Sequence, residues 1–145
     1  MAAVKKVVLI EFTPSQMFAL VDGVEDYPKF LPWCGGTELI ERTDHLTAAT
    51  LRVNYHGIKT HFSTENTKLA PYEMHIRLKE GPFDHLDGSW VFTALGETAC
   101  KVEFALNYQF SSRLLEKALG PVFNHIANTF VDAFVKRAEQ VYRSA

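Results

Sequence analysis

Between Ser112 and Arg143, apolar residues return every three or four positions: Leu115, Leu119, Val122, Phe123, Ile126, Phe130, Phe134, Ala138 and Val141. That interval keeps side chains on one stripe of an α-helix. The opposite face carries Lys117, Asn124, Asn128, Asp132, Lys136, Glu139 and Arg143, which water would see. Gly120-Pro121 cuts across the pattern. Proline lacks an N–H and clashes with the preceding turn, so the spacing predicts a kink or short break, with Pro121 restarting the helix. From Pro121 to Arg143 the helix would run about 34 Å at ~1.5 Å per residue. Three phenylalanines on one stripe need a broad apolar partner.

The upstream chain supplies it by changing period. Lys5–Phe12 reads as a strand, and Thr13-Pro14-Ser15-Gln16 as a helix start with Thr13 as N-cap and Gln16 closing a capping box. That helix runs to about Asp22, and a second short helical piece covers Asp26–Leu31 before Pro32-Trp33-Cys34-Gly35-Gly36 ends it. Strands follow at Thr37–Arg42, Leu46–Tyr55, Lys59–Leu69, Glu73–Lys79, Leu86–Thr93 and Cys100–Phe110. The last is the clearest, with Cys100, Val102, Phe104, Leu106, Tyr108 and Phe110 against Lys101, Glu103, Asn107 and Gln109. Strict alternation means an antiparallel sheet with one wet face. Lys59–Leu69 is the exception, being polar on both parities apart from Phe62 and Leu69.

The short breaks between strands suit hairpins. The pattern therefore predicts an α+β domain spanning residues 1–145. A curved antiparallel sheet of about seven strands would wrap the terminal helix, with two short helices after the first strand closing one end. Sheet and helix do not mate perfectly, and the space between them is a natural ligand cavity.

Composition narrows the class. The chain has 145 residues, 47% of them hydrophobic, enough for one real core. A net charge of −2 carries no footprint of a dedicated nucleic-acid binder, and no DNA partner is expected. The longest apolar run, Val7-Val8-Leu9-Ile10, cannot cross a bilayer, and the N-terminus lacks an apolar leader with a cleavage site. The expected location is the cytoplasm, with peripheral contact at the inner face of the membrane as an extension. Cys34 and Cys100 form no ligand spacing and read as reduced thiols.

Two segments carry a resemblance. Tyr27-Pro28-Lys29-Phe30-Leu31-Pro32-Trp33-Cys34 and Gly81-Pro82-Phe83-Asp84-His85-Leu86-Asp87-Gly88-Ser89-Trp90-Val91-Phe92 resemble the signature stretches of the coenzyme-Q-binding START-like family, related to polyketide cyclases and including ribosome association toxins. The likeness extends through Cys100-Lys101-Val102-Glu103-Phe104 and the final helix, with Pro121 as a departure. It implies the helix-grip (START/Bet v 1-like) fold. It also implies one of two activities. The first is non-catalytic binding of ubiquinone or a related polyprenyl lipid in support of respiration, with no cofactor required. The alternative is a toxin that binds the large ribosomal subunit and blocks subunit association. A cyclase-like enzyme stands third.

For the lipid, the candidate lining is Trp90, Phe92, Phe104, Leu106 and Tyr108 on strands and Val122, Phe123, Ile126, Phe130 and Phe134 on the helix, joined by Phe83. Each taken singly reads first as core; together, in this fold, they form a dry slot. Tyr108 is the favoured polar anchor. Phe30, Leu31 and Trp33 form either a lid reaching the bilayer or a plug closing the sheet. Gly88 marks a bend first, and a close approach second.

Other chemistry is thin. His56, His61, His75, His85 and His125 share no metal-ligand spacing, and Ser89 is not in a nucleophile elbow. No catalytic residue is expected, and the strand carboxylates fall on the outer parity. Lys5-Lys6, Arg113 with Lys117, and Lys136-Arg137 are the basic groupings that could face ribosomal RNA, although solvated helix faces carry such residues routinely.

Overall fold

The computed structural model describes residues 2–143. Strand β1 (Ala2–Ile10) leads to helix α1 (Pro14–Asp22) and a 3-10 helix at Val24–Lys29. Strands β2 (Cys34–Arg42), β3 (Leu46–Tyr55), β4 (Ile58–Leu69), β5 (Glu73–Glu80), β6 (Phe83–Ala94) and β7 (Cys100–Phe110) follow, then helix α2 (Arg113–Arg143). One curved antiparallel sheet in the order β1-β7-β6-β5-β4-β3-β2 holds α2 against its inner face. The first strand therefore returns beside the last, which leaves β1 and β2 as the two edges.

The start of α1 forms as its residues dictate. The Gln16 N–H donates to Thr13 Oγ1 at 3.1 Å, and the Thr13 N–H donates to Gln16 Oε1 at 2.8 Å. Phe12 lies outside β1 and is buried with its ring 5.9 Å from Tyr142. Phe12 and Met17, both buried, occupy the two positions of a hydrophobic staple, which explains why the chain leaves the strand there.

Helix α2 starts where Ser112 caps it, accepting from the Leu115 N–H at 3.1 Å. Of the kink or short break expected at Pro121, the break does not occur: residues 113–143 are continuously helical. Gly120, the residue before the proline, has no Cβ to crowd the proline ring, which eases the helical conformation at that position. The buried stripe also shifts. Ala127 and Val131 join it, whereas Val141 is 42% exposed. The last turn is instead tied down by Tyr142, whose hydroxyl donates to the Gln16 carbonyl at 2.7 Å.

Strands β2 and β6 each begin three residues earlier than the residue pattern predicts, through a bulge. Cys34 pairs with Val53 and Gly36 with Arg52, so the paired glycines lie within β2 rather than ahead of it. Phe83 pairs with Phe110 ahead of a bulge before His85. Gly88 is not a bulge. Register passes through it without a shift on either side, and a Cβ there would lie 2.5 Å from the Ala105 carbonyl oxygen. Close approach of β7 to β6, rather than a bend, requires that glycine. Gly81, at φ +154°, is the other constrained position, where a Cβ would come within 2.7 Å of Phe62.

The inner face of β4 is polar and buried: Thr64, Asn66 and Lys68 follow Phe62 at the same parity. Lys68 Nζ lies 3.1 Å from Asp22 Oδ2, and Thr47 Oγ1 donates to Asp22 Oδ1 at 2.6 Å. Arg42 donates to both Glu25 carboxylate oxygens at 2.8 and 2.7 Å and to the Asp22 carbonyl at 2.7 Å. These contacts clamp the end of α1 onto the β2–β3–β4 side of the sheet.

Candidate functional site

An apolar cavity of about 80 Å³ lies between α2 and the sheet. Among the residues expected to line it, Trp33, Trp90, Phe104, Leu106, Tyr108, Phe123, Ile126 and Phe130 do so. The aromatic members interlock: Trp90 sits 4.6 Å from Phe104 and 5.8 Å from Phe130, centroid to centroid. Phe92, Phe134, Val122 and Phe83 are buried elsewhere in the core. Phe92 stacks on the far side of Trp90 at 5.9 Å, and Phe83 packs on Phe110 and Phe123 at 5.0 Å each. Strand alternation put Phe92, and the helical stripe put Val122 and Phe134, on inner faces, but inner faces also fill the ends of the grip.

The segment from Tyr27 to Trp33 closes the fold with Tyr27, Leu31 and Trp33 turned inward, while Pro28, Lys29 and Pro32 face solvent. Leu31 is 1% exposed and Trp33 2%. The indole rests 6.1 Å from the Phe130 ring, and the Tyr27 hydroxyl donates to the Val21 carbonyl. Burial pushes the Tyr27 hydroxyl pKa far above its ordinary value. Phe30 is half-buried between Phe134 at 5.2 Å and the Arg137 guanidinium, 5.3 Å above its ring. Such a segment is a plug. A tryptophan this deep cannot touch a membrane surface without leaving its pocket.

Polar groups in the cavity wall were only partly visible beforehand. Tyr108 borders both the cavity and a surface depression beside Arg113, and burial raises its hydroxyl pKa. Asn107 falls on the other parity and does not line the cavity. Thr64 and Asn66 on β4 do line it, and the residue pattern gave no hint of either. The Asn66 carboxamide oxygen is buried and accepts no hydrogen bond. Among the described residues, no carboxylate, imidazole, thiol or amine lines the cavity. Cys34 and Cys100 are buried, which pushes both thiols up and away from nucleophilic thiolates. Among the described residues, no group of three His, Cys, Asp or Glu side chains is placed to hold a metal.

The basic groupings do not merge into one patch. Arg113 and Lys117 stand exposed on the first turns of α2, and Lys136 is exposed ~34 Å further along the helix axis. Lys5 is exposed on the outer face of β1, whereas Lys6 is half-buried on the inner parity. Arg137 is half-buried over Phe30, its Nε unpaired. Among the described residues, Lys5, Lys6, Arg113, Lys117 and Lys136 form no ion pair, whereas Lys29, Arg42, Arg52, Arg77, Lys101 and Arg143 do. A second aromatic feature lies on the surface. Tyr55 stacks on His125 with centroids 5.2 Å apart, at the edge of the groove that also holds Trp33, Lys136 and Arg137.

Sheet, plug and gripped helix together match a known pattern. Residues 10–135 match the family described as polyketide cyclase / dehydrase and lipid transport. The chain belongs to that family. It is 41% identical over 142 residues to the ribosome association toxin RatA of Vibrio cholerae, covering 98% of this chain and 99% of that one. It is 24% identical to the mitochondrial coenzyme Q-binding protein COQ10 homolog B of Xenopus laevis, covering 92% of this chain and 57% of the relative. Among solved structures, an aromatase/cyclase from Streptomyces superposes with a TM-score of 0.83 at 16% identity, covering 99% of this chain and 96% of that one. That likeness shows the fold alone. No helix among the described residues is long and apolar enough to cross a membrane.

Proposed function

We propose that this protein is a cytoplasmic, non-catalytic ribosome-binding protein that occupies the large subunit and blocks subunit joining, inhibiting translation. One observation carries this: the likeness to ribosome association toxins runs along nearly the entire chain at high identity. The cavity supports the non-catalytic part: among the described residues it is lined by no carboxylate, imidazole, thiol or amine, and burial pushes the Tyr27 and Tyr108 hydroxyls up, away from proton transfer near neutral pH. The exposed cations offer separate phosphate contacts rather than one patch. Arg113, Lys117, Lys136 and Lys5 are exposed cations without acidic partners, which leaves them available to RNA phosphates.

Sedimentation through a sucrose gradient with purified subunits tests it. The protein is expected to travel with large subunits at low salt and to dissociate steeply as salt rises, since phosphate contacts release counterions. Reversing charge with Arg113→Glu and Lys117→Glu together is expected to weaken association while leaving the melting temperature unchanged. Failure of the unmodified protein to travel with either subunit at low salt would sink the proposal.

A second function is favoured by the apolar lining and by the likeness to a coenzyme Q-binding protein: holding ubiquinone or another polyprenyl lipid, with peripheral membrane contact. Its difficulty is size. About 80 Å³ lies well below the ~300–1,000 Å³ usual for ligand pockets, so a quinone would have to open the grip. Organic extraction of the protein from its host followed by mass spectrometry decides that point, and a clean blank would exclude a resident quinone.

A further inference from the structure

Among the described residues of the cavity wall, one side-chain polar atom is both fully buried and without a hydrogen bond. On β4, Lys68 is paired with Asp22 at 3.1 Å, but its neighbour at the same parity, Asn66, has a buried carboxamide oxygen that accepts nothing. Asn66 is 8% exposed and lines the cavity, next to Thr64 at 6%. Toward the middle of the sheet its register partners are Ile76, then Gly88, then Leu106, none of which carries a polar side-chain atom. A buried acceptor without a donor costs what an unmade hydrogen bond costs, and an apolar side chain would fill the place without that cost.

We propose that the cavity is a binding site for a compact, mostly apolar molecule carrying a hydroxyl group, which donates its hydrogen bond to Asn66 Oδ1. The terminal torsion of asparagine is soft, so the carboxamide can turn its oxygen toward a donor in the cavity. Volume sets the same class. About 80 Å³ takes one small ring or a short branched chain after modest movement of the lining, and excludes a long tail. A ring bearing only carbonyl oxygens offers Asn66 Oδ1 no donor, so a phenol or quinol satisfies this acceptor where an oxidised quinone leaves it unpaired. The site is independent of ribosome association and stands or falls separately from it.

The test is titration of the ¹⁵N-labelled full-length protein with p-cresol and with 4-methylanisole, which has the same ring but no donor. Binding is followed by amide and side-chain shifts. The phenol is expected to bind about tenfold more tightly than the ether, moving the Asn66 side-chain amide and the backbone signals of Thr64 and Trp90. Asn66→Leu is expected to weaken the phenol until the two ligands agree within about twofold. Ala49→Leu, which extends into the cavity from β3, is expected to weaken both. If Asn66→Leu does not fold, the phenol-to-ether ratio on the unmodified protein still decides. Equal affinities would overturn the role of Asn66. Shifts confined to the outer surface would overturn the site. No binding of either ligand would mean that water satisfies Asn66, and would also overturn the proposal.

Discussion

Replacing Trp33 with alanine separates a plug from a lid. The indole is 2% exposed, tilted against Phe130 at 6.1 Å, and forms part of the cavity wall. Truncating a buried tryptophan removes its transfer energy and leaves a void, a loss of about 3–5 kcal/mol. One side of this ring faces a surface groove into which neighbours can relax, which favours the lower part of that range. With an unfolding entropy of ~2.1 cal/mol/K per residue, each 1 kcal/mol lowers the melting temperature of a chain this long by about 3 °C. Trp33→Ala is therefore expected to melt ~10–13 °C below the unmodified protein. Circular dichroism at 222 nm during a thermal ramp, paired with urea denaturation at 25 °C, gives the comparison. A melting temperature within about 3 °C of the unmodified protein would refute the plug and restore a mobile lid.

Two further substitutions probe the clamp between α1 and the sheet. Asp22→Asn leaves the Lys68 ammonium buried without its carboxylate and is expected to cost ~3 kcal/mol. Lys68→Met is expected to cost less, because Asp22 keeps Arg42 and Thr47 nearby; the reverse order in urea midpoints would contradict this assignment. For Glu25, the paired hydrogen bonds from Arg42 hold the carboxyl down at about 2, against an ordinary value of 4.5. A depressed carboxyl stabilises the fold above its unfolded pKa and loses that contribution as pH falls toward the folded one, here between about pH 4.5 and 2. The pair is half exposed to solvent, so the contribution is below about 1 kcal/mol. Glu25→Gln should lower stability slightly at pH 7 and flatten the acid limb in that window. An unchanged acid limb would count against the pairing.

Local pattern carried much of the fold and less of the site. The alternation of Cys100–Phe110 gave β7 its span and its inner face, and Thr13 with Gln16 announced the start of α1, because both signals are complete within a few residues. Long-range answers were not legible. Thr64, Asn66 and Lys68 look like a solvated strand until Asp22, 46 residues away, is seen beneath Lys68. Trp33, directly after Pro32, could face out or in, and only the arrival of Phe130 from α2 decides it. Gly88 gave no sign of whether it marked a bend or a close contact, since the Ala105 carbonyl lies on another strand. The basic residues were individually visible, but their scatter over two ends of α2 and two faces of β1 depends on helix length and strand parity together.

The most direct measurement is subunit joining itself: purified small and large subunits mixed at joining magnesium, with light scattering recorded as the protein is added. The expected result is a dose-dependent loss of the joined particle, relieved by salt and weakened by the Arg113→Glu, Lys117→Glu pair. Full joining in the presence of excess folded protein would contradict the account, whatever the cavity proves to hold.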